Sequence, residues 1–221
     1  MAIISFPPVE NATEEGLLGF GGDLEISSLL MAYKKGIFPW PISSECPLAW
    51  FSPDPRGILR YGDLKVSTSL KKILRQNKFE VKFNQNFSGV IMGCRDTHQK
   101  NSHSTWITEE LILAYINLFF SGHAYSVEVY LDQKLAGGIY GVVLGALVTG
   151  ESMFHIESNA SKVALVHLMN HLHKFKIEWI DTQTVTPFIK TMGGTEISRD
   201  EYLKILRLSL RRKHPKNLFI L

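Results

Sequence analysis

An α+β fold is predicted, with a small N-terminal domain over residues 1–60 and a larger domain, residues 61–221, built on a mixed sheet with helices against it. Three observations predict it. Glycine and proline crowd the first part (Phe6-Pro-Pro, Gly21-Gly22, Phe38-Pro-Trp40, Pro53-Asp-Pro-Arg56) and thin out afterwards. Helical and strand periodicities then follow one another from about residue 67. Apolar residues make up 45 % and charged residues 20 % of 221 residues, the balance of a chain that can bury an ordinary core.

The elements follow in order. Ile26, Leu29, Leu30 and Tyr33 recur at helical spacing, and Gly36 after Lys34-Lys35 stops that helix. The rest of the first domain reads as turns around short strands. Ser67 caps an amphipathic helix to Arg75. Phe79 to Phe83 alternates like a strand, and Phe87 to Cys94 and Thr108 to Ser121 read as helices. Tyr125 to Leu131 is a strand that turns at Asp132-Gln133. Leu135 to Val142 and Ala146 to Phe154 pair across Leu144-Gly145. Asn159 or Ser161 caps a helix to about Phe175, Glu178 to Gln183 is a buried strand, and Ser198 caps a last helix to Leu210. Helix, strand, helices, three-strand meander, helix, strand resembles the acyltransferase sheet shared by N-acetyltransferases and peptidoglycan amino-acid transferases.

Composition excludes several classes. The two cysteines, Cys46 and Cys94, form no CxxC and no Cys/His metal spacing. The start, Met1-Ala-Ile-Ile-Ser-Phe-Pro-Pro, lacks a basic n-region and a long apolar run, and no stretch reaches the roughly 20 apolar residues of a membrane span, so the expected address is the cytoplasm. Net charge is only +3, but Lys71, Lys72, Arg75, Lys78 and Lys82 lie close together, and Arg207, Arg211, Arg212, Lys213 and Lys216 crowd the C-terminus. Either cluster alone reads as a solvated face before it reads as a phosphate track.

Eight blocks in order carry a specific resemblance. They are Gly16-Leu-Leu-Gly-Phe-Gly-Gly-Asp-Leu24, Leu30-Met-Ala-Tyr-Lys-Lys-Gly-Ile-Phe-Pro-Trp40, Trp50-Phe-Ser-Pro-Asp-Pro-Arg56, Ser104-Thr-Trp-Ile-Thr108, Gly137-Gly-Ile-Tyr-Gly141, Gly150-Glu-Ser-Met-Phe154, Asn159-Ala-Ser-Lys162 and Trp179-Ile-Asp-Thr-Gln183. The chain thereby resembles the bacterial leucyl/phenylalanyl-tRNA–protein transferases from about Phe6 to Tyr202. The resemblance implies an N-end-rule enzyme. It takes Leu or Phe, with Met as a third candidate, from aminoacyl-tRNA and attaches it to proteins beginning with Arg or Lys, which marks them for proteolysis. It implies no metal, no soluble cofactor and no membrane partner.

The reaction is aminolysis of an activated ester. An α-amino group of pKa ~7.7–8.0 is partly neutral near pH 7.5, and positioning is worth ~7–11 kcal/mol. No Ser-His-Asp or Cys-His constellation is therefore required. Asp181 and Gln183 lie two apart on a predicted strand, so both should project from one face. By themselves they read equally as a buried polar pair satisfied by backbone or as a carboxylate that holds or deprotonates an ammonium beside an orienting amide. The resemblance matches them to the family's catalytic Asp-x-Gln. Glu151 stands among apolar neighbours and needs a partner, either a distant Lys or Arg or, by resemblance, the donor's ammonium. By resemblance Ile139, Val148, Met153, Leu168 and Ile180 line the pocket for the Leu or Phe side chain, although each reads equally as core. Trp40 and Trp106, in loop-like surroundings, match the stacking platform for the 3′-terminal adenosine, worth ~1–3 kcal/mol per base, and equally suit pinning the small domain to the large one. Tyr33 and Tyr115 match supporting contacts to the same end, and Lys71, Lys72 and Arg75 match the basic cluster on the acceptor stem.

One stretch departs from the pattern. Relatives carry His-x-x-Ser-Leu-Gly where this chain has Phe188-Ile-Lys-Thr-Met-Gly193. Two other functions fit parts of the sequence. An acetyl-CoA-dependent N-acetyltransferase would need a Gly-rich pyrophosphate turn, but Phe154 to Ser161 has no glycine and carries Glu157. A non-catalytic tRNA-end binding module would explain the tryptophans and lysines but not Asp181 with Gln183.

Overall fold

The computed structural model describes residues 3–42, 46–102, 105–215 and 217–219, without side chains at 101 and 102. Of the residues singled out above, Met1, Ala2, Ser104 and Lys216 lie outside the described set.

Three short strands, β1 (Leu17–Phe20), β2 (Phe38–Pro39) and β3 (Ala49–Phe51), form an antiparallel sheet in the order β1-β3-β2. Helix α1 (Ile26–Lys34) packs beside them with Leu29 and Tyr33 buried. It stops where the sequence places Gly36, at φ +77°, where a Cβ would stand 2.8 Å from the Tyr202 ring. A glycine is thus required there for backbone and for space.

Strand β4 (Arg56–Arg60) precedes the expected boundary at residue 60, yet its ladder partners are β10 (Trp179–Gln183) and β11 (Thr195–Ile197), in the order β10-β4-β11. Then come α2 (Thr68–Arg75), β5 (Glu80–Phe83), α3 (Phe87–Ser102), α4 (Glu109–Phe120), β6 (Ala124–Leu131), β7 (Lys134–Leu144), β8 (Leu147–Val148), β9 (Ser152–His155) and α5 (Ala160–Lys174). After β10 a short α6 (Pro187–Thr191) leads to β11 and α7 (Arg199–Arg211). The order expected of an acyltransferase sheet is the order found. Ser67 accepts from Leu70 N and Ser198 from Glu201 N, as N-caps do. At α5 the position before the helix is Asn159, but it sits at φ +71° and its side chain makes no cap bond.

The main sheet runs β5-β6-β7-β8, antiparallel throughout, with β9 also on β7. Its two faces bury different cores, as the period of two requires. Tyr140, Val142 and Leu144 of β7 pack with α3, α4, the N-terminal strands and α7, whereas Ile139 and Val143 pack with α5. The 132–133 turn has positive φ at both residues, the type that suits strand twist.

The structure corrects one expectation that matters for the site. Residues 146–154 are not a continuous strand. Thr149 and Glu151 still bond to β7 (Thr149 N to Val142 O, 2.9 Å; Glu151 N to Tyr140 O, 3.0 Å), but Gly150 N donates to Asp181 O of β10 at 2.8 Å. A Cβ on Gly141 would collide with the Thr149 carbonyl, so the glycine lets that segment cross β7 closely. Beyond Gly150, β9 stays with β7 while β10 stays with β4. A cleft opens between them.

Candidate active site

A cavity of about 540 Å³ fills that cleft. Its walls include Trp40 and Trp106 on one side, Glu151 and Met153 from the β8–β9 run, Thr182 and Gln183 from β10, and Phe188 from α6. Among the described residues no helix is long and apolar enough to cross a membrane.

The two indoles lie side by side, ring centroids 5.8 Å apart and 43° tilted. Trp40 is flanked by Phe38 and Phe51 at 6.1 and 6.3 Å, and His98 stands 6.2 Å from Trp106. Trp40 remains 37 % exposed. A wall of this kind is a stacking surface open to a flat ring. It also joins the two domains, because Trp40 belongs to the N-terminal loops and Trp106 to the α3–α4 connection.

Glu151 is 9 % exposed. Thr149 Oγ1 donates to its Oε1 at 2.6 Å and Tyr115 OH to its Oε2 at 3.3 Å. Tyr115 OH in turn makes a short contact with Tyr33 OH. Burial pushes the Glu151 carboxyl up to about 7; hydrogen bonds from Thr149 and Tyr33 pull the other way, the nearby Asp181 charge adds to the rise, and the Gln183 amide offsets part of it. The Gln183 influence is one of proximity, since its Nε2 has no hydrogen-bond partner of ordinary geometry. Tyr33 and Tyr115, no more than 1 % exposed, are raised well above the usual phenol range, first by burial and then by the Glu151 charge. They stand behind Glu151 rather than at the cavity wall, so the expected direct contact of these tyrosines with an adenosine is replaced by a phenol relay onto the carboxylate.

Asp181 also departs from expectation. It has no exposed surface and is not part of the cavity wall. Arg56 Nε and Nη2 donate to it at 2.9 and 2.7 Å, Tyr202 OH at 2.7 Å and Gln183 N at 2.9 Å. Arg56 is itself buried, donates to Gly36 O at 3.0 Å, and lies over the rings of Phe38 and Tyr202 at 4.8 and 4.4 Å. This cluster ties α1, β4, β10 and α7 together. Asp181 and Gln183 do not share a face, because Gln183 has φ +58° and the β4–β10 register slips between them.

The expected side-chain pocket is likewise divided. Met153 lines the cavity. Ile139, Val148, Leu168 and Ile180 are fully buried in the core beneath it, with Ile139 and Ile180 closest to Gly150. Lys71, Lys72 and Arg75 are exposed on α2 and in no ion pair among the described residues. The lead-in to α2 is tied to the cavity's outer wall, since Lys65 N donates to Met192 O just past α6. In the C-terminal basic cluster Arg212 has a structural task, donating to the Lys176 and Phe175 carbonyls beyond α5.

The residues the sequence did not single out are Arg56, Tyr202, Thr149 and Thr182. Arg56 carried a usable signal: a cation opening the apolar run Gly57-Ile-Leu59 must find an anion if that run is buried.

Residues 58–207 match the sequence model described as leucyl/phenylalanyl-tRNA protein transferase, and residues 22–54 match that of its N-terminal domain. The chain belongs to the leucyl/phenylalanyl-tRNA protein transferase family. Proteins of that name include one from Flavobacterium johnsoniae, 44 % identical over 202 residues, which are 91 % of this chain and 95 % of the relative. Another, from Syntrophobacter fumaroxidans, is 45 % identical over 201 residues, 91 % of this chain and 86 % of the relative. Among solved structures, an aminoglycoside acetyltransferase from an uncultured soil metagenomic sample superposes with a TM-score of 0.37 at 12 % identity, covering 61 % of this chain and 88 % of that one. For a leucyl/phenylalanyl-tRNA protein transferase family member, the stretch at Phe188 is the local oddity, and it falls on the cavity wall.

Proposed function

We propose that the protein transfers Leu or Phe, with Met as a third donor, from aminoacyl-tRNA to the α-amino group of proteins beginning with Arg or Lys, in the cytoplasm. The observation that supports this most is the joining of two chemistries in one cavity: a pair of indoles at one wall, and Glu151 with Gln183 at the other. The first suits an adenine, the second an amine and an ester carbonyl. Exposed Lys71, Lys72 and Arg75 extend the donor surface for phosphates.

The chemistry needs little acid–base power. The acceptor amine attacks the ester carbon, a C–N bond forms, and the C–O bond to the tRNA ribose breaks. Glu151, near 7, is close in proton affinity to an α-amine at ~7.7–8.0, so a proton passes between them at small cost. In this reading Glu151 serves the amine and Gln183 the carbonyl. Asp181 acts through Gln183: its carboxylate accepts from Gln183 N and so holds the left-handed turn that brings the amide to the cavity.

The test offers labelled Leu-tRNA or labelled acetyl-CoA to the protein with an Arg-initiated peptide. Peptide labelled from Leu-tRNA, undiminished by a chelator, is the expected result. Label from acetyl-CoA, or donor binding without transfer, would overturn the reading in favour of an acetyltransferase or a binding module.

A further inference from the structure

Strand β10 ends on two consecutive polar side chains that a regular strand would send to opposite faces. Here they stay together. Gln183 takes φ +58°, held by its N–H on Asp181 Oδ1 at 2.9 Å and by Thr184 N on Thr182 O at 2.6 Å. Thr182 and Gln183 therefore both line the cavity, at 8 % and 7 % exposure. Thr182 Oγ1 and Gln183 Nε2 are buried atoms with no hydrogen-bond partner among the described residues. Neighbouring hydroxyls have partners: Ser152 meets His98 Nε2 at 3.1 Å, and Thr186 caps α6. An unmet buried donor costs about 1–3 kcal/mol. Two in succession, in a conformation that is itself strained for a non-glycine residue, mark a place where a ligand completes the set.

We propose that Thr182 Oγ1 and Gln183 Nε2 together hold the carbonyl oxygen of the donor ester, which makes Thr182 a catalytic residue of the transfer. This rests on the aminoacyl-transfer reading above. As the amine nitrogen bonds to the carbonyl carbon, the carbonyl π pair moves onto that oxygen, and both donors shorten onto the charge that develops there. The pair then returns, the C–O bond to the ribose breaks, and the ribose oxygen leaves with the proton the amine has shed. Glu151 cannot take this role, because an anion beside the forming oxyanion would oppose it. Gln183 alone offers one donor, whereas such sites work by paired donors fixed before the charge appears.

The experiment compares wild type, Thr182→Val and Thr182→Ser with Leu-tRNA and an Arg-initiated peptide. Valine keeps the shape and removes the hydroxyl, so kcat should fall about 10²-fold with little change in donor KM. Serine restores the hydroxyl and should recover most of the rate. Affinity for a phosphonate mimic of the tetrahedral state on adenosine should fall with kcat in Thr182→Val, while affinity for amide-linked leucyl-adenosine should hold. Wild-type kcat in Thr182→Val, or an equal loss for both adenosine ligands, would overturn the assignment. A wild-type protein that transfers no leucine would overturn the transfer reading itself, before any variant is compared.

Discussion

Replacing Asp181 by asparagine separates a buried anchor from a base that handles substrate. The carboxylate accepts four hydrogen bonds, two from Arg56, one from Tyr202 and one from Gln183 N. An asparagine can keep Oδ1 toward Arg56 Nε and Gln183 N. Its Nδ2 then faces Arg56 Nη2, donor against donor, and Tyr202 OH loses its acceptor. Arg56 stays buried, with Gly36 O as its remaining strong acceptor. Breaking a buried pair by removing one partner costs about 3–5 kcal/mol. For a chain of this size that corresponds to a melting temperature lower by roughly 6–20 °C. Below that melting range the transfer rate should also fall, because the left-handed turn at Gln183 loses rigidity, and raising the pH should not restore it. The matched variant Arg56→Met/Asp181→Leu removes both charges. It should regain much of the stability and little of the rate. Thermal melts read the first quantity and a pH–rate series at 20 °C the second. Asp181→Asn with wild-type melting and a rate that recovers at high pH would refute the anchor argument and make Asp181 the base.

Three further outcomes follow from the cavity. The rate should rise as Glu151 ionises through about 7, and Glu151→Gln should abolish that step in the pH–rate profile; a step that persists in the variant assigns it to another group. Because the folded state raises this carboxyl from 4.5, its contribution to stability is full below 4.5 and is lost as pH rises to about 7, so denaturant titrations of Glu151→Gln should show a shallower decline across that window. Trp40→Ala and Trp106→Ala should each raise KM for an aminoacyl-adenosine by about 5- to 150-fold, the equivalent of one stacking contact, and unchanged KM with a lowered melting temperature would leave the indoles as domain pins only. Lys71→Ala/Lys72→Ala/Arg75→Ala should flatten the log–log salt dependence of tRNA binding by about 0.9 per phosphate contact on duplex RNA of this charge density, and an unaltered slope would return α2 to an ordinary solvated face.

Local signals made most of the fold legible. Ser67 and Ser198 cap where they were expected to, and the apolar spacing Ile26-Leu29-Leu30-Tyr33 did make a helix ended by Gly36. Failures came where long-range contacts decide. Residues 146–154 carry a strand's composition, but Gly150 N finds its acceptor on β10 rather than β7. Arg56–Arg60 reads as part of a turn-rich region because its partners, β10 and β11, lie more than a hundred residues away in sequence. Short α6 and β11 were not distinguished from connection, although Thr186 does cap α6 with Pro187 in its first turn.

The site shows the same limit more sharply. Trp40, Trp106, Met153, Glu151 and Gln183 do meet in one cavity, whereas Ile139, Val148, Leu168 and Ile180 pack as core below it. Asp181 and Glu151 looked alike in the sequence: each is an acid inside an apolar strand, and each needs a partner. What separates them is the supply of cations. Arg56, 125 residues from Asp181, reaches that carboxylate with two nitrogens, while Glu151 receives only neutral hydroxyls, from Thr149 and Tyr115. A carboxylate paired with a guanidinium is locked in place and suits holding structure. One that is buried among neutral donors rises toward 7 and suits exchanging a proton with an amine. The spacing of two between Asp181 and Gln183 could not reveal this division, because it presumes an extended backbone that Gln183 abandons. The same departure that sends Asp181 away from the cavity brings Thr182 to it, so the local strain and the division of labour have one cause.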